Sequence, residues 1–494
     1  MIGNNQKRTK VVATIGPASH SDDKIRALIR AGMDVARVNF SHGDHKFHAE
    51  TFEMVRRIAK EENAVVAILS DIQGPKIRLG DLVAPIELKK GDRITLTLDE
   101  TANGTNNVVP LPHPEFLRDI KDGTILMLDD GNIQLKVTSA LPRSLICEAL
   151  TNGLLKQRKG VSAPNATLTL SAITDEDRDD IKFALEQGTD FIAMSFVRRP
   201  DDIDQLRFFM RHVADNANTV GIIAKIEMRE ALETIDAIID AADGVMVARG
   251  DLGVELEVEA VPFQQKRIIR IANAAGKPVI TATQMLESMT GTPRPTRAEA
   301  TDVYNAVLDG TDAVMLSAES ASGLYPIESV ETMNNITSMA DNDKMNNRSA
   351  HLPTTVHRNT ALRGHEHVSD AVAQATWQVA DALNASAILT ISLSGYTTKQ
   401  VARARPKTPI ICVTPSRATY QQTALLWGAF PLLVSEDFDN VDDMVRVTVR
   451  AAYDAKLVNI GDKVVIIAGI PFGKPGQTNF LKVHEVGESG EIDG

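Results

Sequence analysis

Short apolar runs recur along the chain, and each stops abruptly at polar or small residues. They are Lys10–Ile15, Asp34–Val38, Val65–Leu69, Phe191–Met194, Val220–Ala224, Val245–Ala248, Pro278–Ile280 and Ala313–Leu316. Runs this short and continuous predict strands buried on both faces of a parallel sheet. Stretches of helical spacing lie between them. One starts at Ser21, a candidate N-cap, carries Ile25, Leu28 and Ile29 on one side, and ends at Gly32. Others cover His48–Ala59 and Asp175–Gln187. Strands alternating with helices in this number predict an α/β fold, a (β/α)8 TIM barrel, with its active site at the carboxyl ends of the strands.

The rhythm breaks between Pro75 and Pro164. There the pattern has period two, as in Ile94–Leu98, Thr124–Leu128 and Ile133–Val137, with a hairpin turn at Asp130-Gly131-Asn132. This predicts an inserted β domain, a small β-barrel. The polar stretch from Asp341 to His367 reads as a linker. Apolar runs return at Ala387–Ile391, Pro409–Val413 and Lys463–Ala468, with helices near Ala371–Leu383 and Val441–Ala455. The expected domains are the barrel (1–74 and 165–345), the insert (75–164) and a C-terminal α/β domain (346–494).

Composition narrows the partners. A net charge of −12 argues against nucleic acid or an anionic membrane, which need a basic face. No apolar run reaches the ~18 residues of a membrane helix, and the N-terminus carries no secretory pattern. Two cysteines, Cys147 and Cys412, give no disulfide framework and suit a reducing cytoplasm.

The strand ends carry the chemistry. Thr14, Arg37, Asn39, Ser41, Asp71, Ser195, Lys225, Glu227, Asp251, Thr283, Ser317 and Glu319 all fall there. Polar groups are costly inside a barrel unless paired, but at an open rim they face a ligand. Glu227 and Asp251 end consecutive strands and so lie side by side. Two carboxylates with room for water suit Mg²⁺ or Mn²⁺. Lys225 shares the strand face of Glu227. Arg37, Arg78 and Lys225 add positive charge, which suits a phosphate ester and phosphoryl transfer. In Arg249-Gly250-Asp251, Gly250 permits close approach of a ligand, and a helical turn opening at Asp251 offers free amides to an anion. The loop Ser392–Thr398 precedes a helix carrying Lys399 and suits a phosphate. Structural alternatives stand beside these roles. Lys225 and Glu227 form an internal ion pair, Asp71 caps a turn, Thr283 and Ser195 satisfy buried backbone, Glu319 pairs with Arg249 or Arg297, and His45 and His48 are solvated. The concentration of polar residues at strand ends favours a site.

Several motifs together resemble the bacterial pyruvate kinases: Thr14–Ser19, Arg37–Gly43, Gly74-Pro75-Lys76-Ile77-Arg78, Lys159-Gly160-Val161, Lys225-Ile226-Glu227, Met246–Glu255, Ala282–Met289, Pro295–Glu299 and Asp309–Glu319. The resemblance spans essentially the whole chain. It implies transfer of phosphate from phosphoenolpyruvate to ADP, giving pyruvate and ATP. It assigns the divalent metal to Glu227 and Asp251, and the substrate carboxylate to the backbone of Arg249, Gly250 and Asp251. Lys225 stabilises the phosphoryl group, Arg37 contacts it, and Thr283 lies beside the enolate. Asn39, Ser41, His42, Arg78 and Lys159 face the nucleotide phosphates, and Phe47 lies near adenine. The insert becomes a lid that excludes water. Many members bind K⁺ at positions matching Asn39, Ser41, Asp71 and Ile72. Lys76, where they carry Glu, resembles a K⁺-independent subgroup, so no K⁺ requirement is expected. The resemblance also implies a homotetramer and a phosphorylated effector bound by Ser392, Ser394, Gly395, Thr397, Thr398 and the loop Gly473–Asn479. A metal-dependent lyase acting on a pyruvate enolate and an inactive effector-binding scaffold are the alternatives.

Overall fold

The computed structural model describes residues 7–129, 131–164, 166, 168–346, 365–435, 438, 440–471 and 477–487. Its centre is a closed barrel of parallel strands: β1 (Lys10–Thr14), β2 (Val35–Asn39), β3 (Ala67–Ile72), β4 (Phe191–Met194), β5 (Gly221–Ile226), β6 (Gly244–Ala248), β7 (Val279–Ala282) and β8 (Ala313–Leu316). Pairing runs in sequence order, and β1 closes the ring against β8, with Lys10 opposite Ala313. Nearly every strand residue is buried, because the inner face packs on itself and the outer face on the helices. The helices start where their sequences cap them. Ser21 accepts from the Lys24 amide, and Thr174 and Thr296 form capping boxes with Asp177 and Glu299. Gly32 and Gly310 close two helices in left-handed backbone.

The insert leaves the barrel after β3 and builds its own core from Ile77 to Ala163, with Leu168 and Leu170 packed against it. Its strands divide between a six-stranded sheet and a two-stranded ribbon. The turn predicted at residues 130–132 joins antiparallel strands Ile125–Leu128 and Ile133–Leu141, although Asp130 lies outside the described residues. Two ties hold the return to the barrel. Asp177 accepts from the Gly74 amide at 2.9 Å, and the Arg198 guanidinium donates to the carbonyls of Leu168 and Leu170, both at 2.8 Å.

The C-terminal sheet has the order β11-β10-β9-β12-β13, formed by β9 (Ala387–Ile391), β10 (Ile410–Thr414), β11 (Ala429–Leu433), β12 (Lys463–Ala468) and β13 (Phe480–Glu485). Sequence patterning misses β11 and β13. Both are edge strands with mixed burial, so neither shows a continuous apolar run. The linker expected from Asp341 is also corrected. A helix runs Pro326–Asn346, and Asp341 is buried in it. Its carboxylate accepts from the amides of Arg8 and Thr9 and from the Trp427 indole, which ties the foot of the barrel to the C-terminal domain. Residues 347–364 of the expected linker lie outside the described residues.

Candidate active site

The carboxyl ends of β1 to β5 place six charged or hydroxyl side chains, Thr14, Arg37, Asp71, Ser195, Lys225 and Glu227, in one network. Arg37 donates through Nε to Asp71 Oδ2 at 2.7 Å and through Nη1 to Thr14 Oγ1 at 2.9 Å. The other Asp71 oxygen faces Lys225 Nζ at 3.1 Å. Lys225 also meets Glu227 Oε1 at 2.9 Å and donates to Ser195 Oγ at 2.7 Å, and Ser195 donates to the Ile72 carbonyl. The internal ion pair of Lys225 with Glu227 is therefore present at the candidate functional lysine. Burial depresses the Lys225 ammonium, but Asp71 and Glu227 outweigh it and hold it above its ordinary range. Burial lifts the Asp71 carboxyl, and the two cations beside it pull it back below the usual value.

Glu227 differs. Burial raises its carboxyl, Lys225 offsets only part of that, and nearby Asp251 raises it further. Its second oxygen accepts from the Phe196 amide at 2.8 Å, from a residue held at φ +55. Asp251 and Glu227 line one cavity between the barrel mouth and the insert. Asp251 makes no hydrogen bond or ion pair among the described residues. These residues include no cluster of three His, Cys, Asp or Glu able to hold a metal. Two mutually repelling carboxylates, one without a partner, fit a divalent cation that completes its shell with water or substrate oxygens.

Beyond β6 the chain enters the helix Arg249–Glu255, and Thr283 faces its first turn from the end of β7. The Gly250 amide donates to Thr283 Oγ1 at 2.8 Å. Thr283 has φ +67, a conformation costly for a β-branched residue. Arg249 supplies the compensation. Its guanidinium is bound to Asp302 at 2.7 Å and to the carbonyls of Ala282 and Thr283 at 3.2 and 2.7 Å. Its side-chain donors are thus committed to Asp302 and the β7 loop, which leaves the expected carboxylate contact to the backbone of this turn. Glu319 pairs with neither Arg249 nor Arg297. It is fully buried and accepts from the amides of Leu286 and Ser317.

The expected nucleotide contacts occupy the β2 loop and the insert. Asn39 Oδ1 accepts from the Ser41 amide at 3.2 Å, and His42 is exposed. Arg78 donates to the Arg158 carbonyl, and Lys159 pairs with Asp129 at 2.6 Å. Phe47 stacks on His20 with ring centres 4.0 Å apart. His48 is not solvated. It is 2 % exposed, and burial depresses its imidazole to about 4. His45 pairs with Asp180 at 2.7 Å and stacks on Phe183. For the expected monovalent site, both Asp71 oxygens and the Ile72 carbonyl already have internal partners. Lys76 reaches the cavity of Glu227 and Asp251, with its chain against Gly160.

In the C-terminal domain, Ser394 is exposed, and Gly395 takes φ +74 at the cap of the helix Tyr396–Arg403. Thr398 turns inward, within 2.7 Å of Thr390 Oγ1, so its hydroxyl is not offered to a ligand. Thr397 pairs with Thr478 at 3.0 Å, and Ser392 is buried. Lys399 points away from the loop, towards Asp243 of the barrel. Of the second effector loop, residues 473–476 lie outside the described residues.

Residues 6–330 match the family model for the pyruvate kinase barrel domain, and residues 370–484 match that for the pyruvate kinase alpha/beta domain. The chain is 44% identical over 491 residues to a pyruvate kinase of Geobacillus stearothermophilus, covering 98% of this chain and 81% of the relative. It is 41% identical over 483 residues to that of Clostridium acetobutylicum, covering 97% of this chain and the whole of the relative. The match to a pyruvate kinase of Agrobacterium vitis is 41% over 499 residues and spans both chains completely.

Proposed function

The chain belongs to the pyruvate kinase family, and from that premise we infer how its residues divide the transfer of phosphate from phosphoenolpyruvate to ADP. Neither the lyase nor the inactive scaffold is supported by these relatives. The observation that carries the reading is the Asp71–Lys225–Glu227 network, a buried lysine kept charged by two carboxylates. An ammonium fixed in a low-dielectric site stabilises negative charge without reorganising. Lys225 therefore meets the phosphoryl oxygens in flight, and Arg37, braced by Asp71 and Thr14, supports it from the β2 side. Glu227 and Asp251 would hold Mg²⁺ or Mn²⁺, which when bound neutralises charge on substrate oxygens. The Gly250 and Asp251 amides, in the first turn of a helix, receive the substrate carboxylate. Thr283 Oγ1, fixed by the Gly250 amide, stands where the enolate is protonated, directly or through water.

Asn39, Ser41, His42, Arg78 and Lys159 bind the nucleotide phosphates, the last two from the insert. The insert closes over the mouth so that water does not take the phosphoryl group. Lys76 supplies the charge that K⁺ brings elsewhere in the family, supported by its reach into the metal cavity and by the committed Asp71 oxygens. The enzyme works in the cytoplasm as a homotetramer. A phosphorylated effector binds at Ser394, Gly395 and Thr397. Among the described residues no helix is long and apolar enough to cross a membrane.

The test is pyruvate formation from phosphoenolpyruvate, dependent on ADP and Mg²⁺. Lys225→Met is expected to keep Mn²⁺ binding, read by electron paramagnetic resonance, while kcat falls roughly 10²–10³-fold. Full turnover in that variant overturns the role of Lys225.

A further inference from the structure

The C-terminal domain meets the foot of the barrel around a small cavity lined by Lys277, Asp312, Lys399, Arg403 and Arg405. Most of these groups are satisfied. Arg405 binds Asp312, Asn273 and the Gly310 carbonyl. Arg403 pairs with Asp370 and donates to the Ala274 carbonyl. Lys277 donates to the carbonyls of Asp240 and Ala242. Lys399 is the exception. Its ammonium makes no hydrogen bond or ion pair among the described residues, and the carboxylate opposing it, Asp243, is already bound by Arg207 at 3.0 Å. Burial depresses both lysines, Asp243 opposes this at each, and Lys399 adds to the depression at Lys277. The two ammonium groups both face Asp243, which Arg207 already holds, and the cavity is lined by four cations against the one carboxylate of Asp312, an excess of positive charge that an anion would offset.

We propose that Lys277 and Lys399, with Arg403 and Arg405 around them, form a binding site for a small inorganic oxyanion between the barrel and the C-terminal domain. The pocket holds about 230 Å³ of empty space including its open mouth, which admits a tetrahedral oxyanion and favours it over a nucleotide. It is separate from the catalytic mouth, at the opposite end of the strands. Asp243 directly precedes β6, and Pro278, after Lys277, directly precedes β7. Those strands end at Asp251 and Thr283. Lys399 belongs to the helix Tyr396–Arg403, which begins just after the exposed Ser394. An anion here pins that helix to the feet of the two strands that carry the metal and enolate residues.

Sulfate is the probe, titrated into the full-length protein at constant ionic strength. Amide hydrogen exchange is read in segments 240–244 and 396–403. Exchange in both segments is expected to slow with sulfate and to saturate as one site. Lys399→Met is expected to abolish that response while sulfate effects at the catalytic mouth remain. Lys277→Met serves as the independent variant if Lys399→Met fails to fold. The proposal is overturned if the two segments ignore sulfate in the wild type, or if they respond equally in a folded lysine variant.

Discussion

Asp71 gives the sharpest test of the site's electrostatics. Asp71→Asn keeps the shape of the side chain but removes the negative charge between two buried cations, 2.7 Å from Arg37 and 3.1 Å from Lys225. Arg37 and Lys225 then face each other; Arg37 loses its counter-charge, and Lys225 keeps only Glu227, at 2.9 Å. Removing one member of a buried ion pair costs about 3–5 kcal/mol, because the partner stays buried and unpaired. At roughly 2–4 °C per kcal/mol for a large domain, the barrel should melt about 6–20 °C lower by calorimetry. The Asp71→Asn, Lys225→Met double variant should regain part of that loss, since one of the two repelling cations is gone. A coupling of about 2 kcal/mol is expected from the cycle. The pH dependence has a definite sign. The folded Asp71 carboxyl is depressed, so its stabilisation is present above the unfolded value near pH 4 and disappears as pH falls through the lower folded value. Wild type and Asp71→Asn should therefore converge in strong acid. A variant melting within about 1 °C of wild type at neutral pH, or strict additivity with Lys225→Met, would refute the reasoning.

Thr283 joins strain to function. Thr283→Gly should be near-neutral for stability, because glycine accepts φ +67, yet kcat should fall at least about 10-fold with the lost hydroxyl; Thr283→Ser should restore most of it. If Thr283→Gly keeps full kcat, the hydroxyl is structural. Burial lifts the Glu255 carboxyl to about 7 from 4.5, so the folded state holds a proton that the unfolded state has released. Its stabilising effect is complete below pH 4.5 and is lost as pH rises through 7, at a cost of roughly 3 kcal/mol. Glu255→Gln should flatten the denaturation profile between these values, and an unchanged slope would count against a raised carboxyl. Lys76→Glu should make activity depend on K⁺ at constant ionic strength. Equal rates with and without K⁺ in that variant would remove Lys76 from the monovalent role.

Much of the candidate site is readable because the active site of a barrel sits where strands stop. Arg37, Asp71, Lys225, Glu227, Asp251 and Thr283 each lie at or just beyond the end of a visible apolar run, and chain order alone makes Glu227 and Asp251 neighbours. Chain order does not show where the Arg249 side chain goes, for an equally physical reason. Its true partner, Asp302, lies in the helix Arg297–Asp309, and no local pattern connects the two. His48 looks like a loop histidine, but it falls on the buried side of the helix His45–Glu61. Lys399 follows a hydroxyl-rich loop and reads as part of it, yet helical rotation carries its side chain to the opposite side.

The sequence by itself determined the element order, the polar strand ends and the family, because burial on both faces forces continuous apolar runs and special backbone positions demand particular residues. Tertiary structure alone decided which charges share a counter-ion. Asp71 serves Arg37 and Lys225 at once, the Arg249 side chain braces Thr283, and Asp341 joins the barrel to the C-terminal domain. Such pairings are set by distances of about 3 Å between residues far apart in the chain. Coulomb and hydrogen-bond energies vary steeply over that range, while sequence spacing carries no record of it.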